Sequence, residues 1–137
     1  MGSVLLAAVE TLQHEGDQLL VRHHALMTIN TNRSLFGVMT GHLGRPDLEI
    51  PPVQGYSRGL PINASPATRA HLMRYEKAHS ETWWTISELY RVHERHIDSK
   101  GQDARHGWQF FLPLIEYCRL ISEYTKLEVR IITWYDE

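Results

Sequence analysis

Residues 65–97 constrain this chain more than any other stretch, because they form the longest run with a single unbroken helical pattern. The run opens on Ser65-Pro66, a capping hydroxyl followed by a proline at the first helical position, where a missing N–H costs nothing. At about 100° per residue, Leu72, Tyr75, His79, Ile86, Leu89, Tyr90, His93 and Ile97 fall on one side. Glu88, Arg91, Glu94 and Arg95 fall on the other. An apolar stripe with a charged back predicts one long amphipathic helix facing a core.

Two further stretches follow the same rule. Leu5, Val9, Leu12, Gly16, Leu19, His23 and Leu26 keep helical phase through Gly16, which predicts a helix over 3–29 capped by Ser3. From residue 107 onward, Phe110, Phe111, Leu114, Tyr117, Cys118, Ile121 and Tyr124 form a third stripe, with Glu116, Arg119, Glu123 and Lys126 as a charged ladder behind it. Residues 127–135 admit two readings. Their β-branched and aromatic content suits a strand, which would make the protein α+β. Val129, Ile132 and Tyr135 also extend the helical stripe, and a lone strand would lack a partner, so the helical continuation is favoured.

Between these stretches, Asn30-Thr31-Asn32 stops the first helix, and a short second helix ends by Gly41 or Gly44. Four prolines and three glycines then rule out regular structure over 44–64, which reads as an extended strap whose Leu48, Ile50, Val53, Tyr56, Leu60 and Ile62 pack along the domain. The expected fold is therefore all-α: one domain over 1–137, an elongated bundle of three long helices, with the short helix and the strap closing one side.

Composition narrows the function classes. Fourteen basic against sixteen acidic side chains leave a net charge of −2, so no global field draws the chain to nucleic acid or to an anionic membrane. The one cysteine, Cys118, lies among apolar residues and excludes an internal disulfide or a thiolate cage. The apolar run 4–9 is too short to span a membrane and lacks a basic flank, so a soluble protein of a reducing, cytoplasmic compartment is expected.

Nine histidines are the sharpest chemical clue. Glu76 and His79 have the Glu-x-x-His spacing that puts a carboxylate and an imidazole on one helix face in di-iron bundles. No second such pair follows, which leaves a mononuclear metal site from Glu76, His79, His93 and His23 as one alternative, and no cofactor as the principal expectation. Arg91-Val-His-Glu-Arg-His96 and Arg74-Tyr-Glu-Lys-Ala-His79 resemble the arginine, four to six residues, histidine pattern of the helical-bundle ribonucleases of the higher-eukaryote and prokaryote nucleotide-binding superfamily. That resemblance implies RNA cleavage in which Arg91 holds a phosphate and His96 moves a proton. It covers six residues in each place.

Trp84 projects from the charged back of the long helix, and Trp134 falls near the polar side of the last one. A large aromatic among charges is the form of a contact anchor. The function read from the sequence is thus a non-enzymatic, protein-binding or self-associating assembly module. Its contacts would be Trp84, Glu88, Arg91 and Trp134, with Tyr56 and Arg58 from the strap.

Overall fold

The computed structural model describes residues 4–30, 39, 58–100 and 108–136, with backbone alone at 30, 95–100 and 108–110. Its architecture is mainly β. A four-stranded antiparallel sheet replaces the expected bundle, with strand order β2-β1-β4-β3. In chain order the elements are β1 (Val4–Glu15), β2 (Gln18–Asn30), α1 (Pro66–Met73), β3 (His79–Trp84), α2 (Ile86–Lys100), α3 (Trp108–Thr125) and β4 (Glu128–Asp136).

The helix expected over 3–29 is a β-hairpin. Glu15 pairs with Gln18 across the two-residue turn Gly16-Asp17, and Gly16 has φ +59°, which a glycine at the first turn position adopts without Cβ strain. The helical period misleads here because β1 is a central strand. Leu5, Leu6, Ala7, Ala8 and Val9 are all buried, alternately on the two faces of the sheet, and such a strand loses its polar–apolar alternation. The same cause defeats the helical continuation at 127–135. β4 lies between β1 and β3, with seven successive residues from Val129 to Tyr135 buried. Its partners are the two stretches read as helical: Val4–Leu12 pairs with Asp136–Glu128, and Trp84 pairs with Ile131.

The long central helix is also three elements. α1 keeps the expected start, since the Ser65 hydroxyl accepts from the Thr68 N–H and Pro66 occupies the first turn. It ends at Met73, and β3 follows with Ser80 at φ +59°. α2 then begins afresh with a reciprocal capping box: the Glu88 N–H donates to Thr85 Oγ1 at 3.2 Å, and the Thr85 N–H donates to Glu88 Oε1 at 3.0 Å. Those two bonds satisfy donors that an uninterrupted helix would have used internally.

The sheet is covered on both faces. Leu5, Val9, Ile131 and Tyr135 pack with Leu89, Val92, Leu114, Ile115 and Cys118 of α2 and α3. Leu6, Ala8, Ile132 and Trp134 pack on the other face against Ala64, with Leu60, Leu72 and Tyr75 around them. The strap therefore serves as a cover from residue 58 onward, although Ile62 is exposed. Residues 44–57 and the short helix expected between 30 and 44 lie outside the described residues, apart from the buried Met39, whose Sδ receives the Tyr135 hydroxyl at 3.3 Å. Among the described residues, no helix is long and apolar enough to cross a membrane.

Candidate functional site

Among the described residues, the densest polar cluster lies beneath α1, on the face of the sheet opposite α2 and α3. Glu10 points there from β1 and is fully buried. Its Oε1 accepts from Arg130 Nη2 at 2.6 Å and Nε at 3.2 Å, a contact between central strands across 120 residues of sequence. Its Oε2 accepts from the Ser65 N–H at 2.8 Å and from the Thr68 hydroxyl at 2.7 Å. Arg130 Nη1 donates to Asn63 Oδ1 at 2.7 Å. One carboxylate thus receives four bonds, two from the sheet and two from the first turn of α1, whose positive dipole end favours a negative charge.

Proton counting fixes the remaining roles. The single Thr68 hydroxyl proton goes to Glu10, so Thr68 Oγ1 is an acceptor toward its other neighbours. It accepts from the Ser65 hydroxyl at 3.0 Å and from His23 Nδ1 at 3.1 Å. His23 therefore carries its proton on Nδ1, leaving Nε2 as the lone-pair nitrogen. His23 stands on β2 because of a register shift between Val9 and Glu10: Val9 faces Ala25, Glu10 faces His23, and His24 is the extra residue. His24 turns to Thr11 instead, with Nε2 and Oγ1 2.7 Å apart.

Electrostatics follow the geometry. Burial raises the Glu10 carboxyl, but the Arg130 guanidinium, the Ser65 N–H and the Thr68 hydroxyl outweigh it and hold the group below the usual carboxylate value. Burial and the neighbouring His71 imidazole, whose ring centre is 5.2 Å away, push His23 below the usual histidine value. Thr68 and Ser65 are buried, so the cluster acts as a clasp between α1 and the sheet.

The residues singled out from sequence are distributed differently from the bundle expectation. Trp84 and Trp134 are fully buried and offer no anchor surface. Trp84 lies on β3, with its indole N–H donating to Thr133 Oγ1 at 2.8 Å, and Trp134 lies in the central strand β4 against the Tyr75 ring. Glu88 and Arg58 come together inside the chain. Arg58 Nη1 donates to Glu88 Oε1 at 2.8 Å and Nη2 to Oε2, while the guanidinium lies 4.4 Å from the centre of the Trp83 ring. Arg91 is exposed on α2; Tyr56 and the His96 side chain lie outside the described residues. Glu76 is exposed after α1, and His79 stacks on Tyr135 on the α2/α3 side of the sheet, the face opposite His23. His93 is on α2, pushed below the usual histidine value by burial. Among the described residues, no group of three or more His, Cys, Asp or Glu could hold a metal ion.

Sequence reasoning missed Glu10, Arg130 and Ser65 with Thr68 as a unit, and missed His71 next to His23. A charged residue directly after a six-residue apolar run was the available signal, since a buried charge requires a partner. No family model matches the chain, and no curated protein or solved structure matches it.

Proposed function

We propose that the protein acts by binding, taking up an extended acidic segment of another polypeptide as a fifth strand along β2. The observation that carries this reading is the outer edge of β2. It is thirteen residues long, pairs with β1 on one side, and among the described residues has no strand on the other. The opposite edge, β3, has only six residues. An unpaired edge presents a row of backbone donors and acceptors, and strand addition is the common way of using it.

Charge supports the choice of occupant. Arg22 and His24 are exposed at the middle of β2, where an acidic strand would meet them favourably. A second copy in antiparallel register about this point would set like charges against one another. That makes self-association through β2 the weaker use of the same edge.

The experiment uses two labelled synthetic decapeptides, one of alternating Val and Glu and the other of alternating Val and Lys, followed by fluorescence anisotropy. The acidic peptide binds, added salt weakens it, and Arg22→Glu reverses the preference. Equal binding of both peptides, binding of neither, or a dimer in light scattering that Arg22→Glu abolishes would each overturn the proposal.

A further inference from the structure

We infer that His23 and His71 form a two-imidazole site for a borderline transition-metal cation of the Zn2+ or Ni2+ kind, with solvent completing the coordination. This inference is independent of strand addition at β2. It rests on two rings that the fold, not the sequence, brings together: one from the middle of β2 and one from the last turn of α1.

The separation suits a shared ion. In a tetrahedral complex with Zn–N distances of about 2.0–2.1 Å, each imidazole centre stands about 3.2 Å from the metal, so two centres are about 5.2 Å apart. The two ring centres are 5.2 Å apart, with planes inclined at 36°. Both side chains are half-buried, which leaves the pair within reach of solvent.

His23 also has the tautomer that a ligand needs. Its Nδ1–H is directed to Thr68 Oγ1, whose own proton is directed to Glu10, so the chain carboxylate, hydroxyl, imidazole leaves Nε2 as the free lone pair. A carboxylate acting behind a histidine in this way fixes its tautomer and raises its basicity toward a metal. The neutral ring is the ligating form. Two protein ligands give a modest site that discriminates by ligand type: imidazole selects Zn2+, Ni2+ or Cu2+ over Mg2+.

The test titrates the purified chain with ZnCl2, NiCl2 and MgCl2, reading heat and the unfolding midpoint, with EDTA to reverse the effect. One equivalent of Zn2+ or Ni2+ binds and raises the midpoint, and Mg2+ does neither. His71→Gln, on a half-exposed residue outside the clasp, abolishes binding with an unchanged circular dichroism spectrum. His24→Gln, whose ring is engaged by Thr11, leaves it intact. The inference is overturned if Zn2+ at about a hundredfold excess over protein binds neither measurably nor reversibly, if His71→Gln binds as the parent does, or if Mg2+ is equally effective.

Discussion

Glu10 is a residue whose replacement this fold tolerates poorly. Removing its carboxylate strands a guanidinium whose side chain is 9% accessible, together with the Ser65 N–H and the Thr68 hydroxyl, all inside the protein. Breaking a buried pair from one side costs about 3–5 kcal/mol, a large share of the roughly 5–15 kcal/mol that holds a domain together. Glu10→Ala should therefore lower the urea midpoint sharply, and Glu10→Leu combined with Arg130→Met should recover much of the loss, because the second change removes the stranded charge. If the double variant is no better than the single one, the carboxylate matters through Ser65 and Thr68 rather than through Arg130. Cys118, by contrast, is inert: burial pushes its thiol up to about 12, far from the thiolate range.

At the scale of elements, β2 decides between a closed sheet and one that accepts another strand. In a regular antiparallel edge strand, successive residues point their N–H alternately at the neighbour and outward. Met27 and Thr28 are adjacent in such a stretch, facing Ala7 and Leu6. Of the two variants Met27→Pro and Thr28→Pro, one loses a bond to β1 and is destabilised, while the other loses only an outward donor. The latter should keep its sheet signal in circular dichroism yet lose the acidic peptide; retained binding in both folded variants would rule out strand addition. α2 shows how an element begins. Its capping box from Thr85 to Glu88 is reinforced by Arg58, so the same carboxylate starts the helix and holds the strap.

For the whole molecule, the ionisable groups set the direction of acid sensitivity. His23 and His93 have folded values below the ordinary 6.5, so the unfolded chain takes up protons first and stability falls as pH drops below 6.5 toward the folded values. Glu10 and Glu88 are held below the ordinary 4.5; their contribution is complete above that value and is lost as pH falls through the lower folded ones. Urea midpoints should be level between about pH 7 and 8, decline below 6.5 and fall faster below 4.5, with His23→Gln making the first decline shallower. A profile that rises on acidification would contradict these directions. Legibility in the sequence followed range. Local signals survived folding: the Ser65 cap with Pro66, the apolar stripe of α3 from Phe111 to Ile121 though not the exposed Tyr124, and the burial of Cys118 depend on neighbours within a few residues. The strands were legible only in part: the β-branched and aromatic content of residues 127–135 admitted a strand, whereas β1 is covered on both sides and carries no period-2 alternation, and the helical phase runs on through Gly16 across the hairpin turn. The clasp was equally hidden, since Glu10, Ser65 and Arg130 meet only after the sheet has formed. The sequence by itself determined where short-range caps and one amphipathic helix lie. Tertiary structure decided that β1 and β2 are strands and settled the choice left open at 127–135, for a run buried on two faces acquires its conformation from the hydrogen-bonding partner beside it.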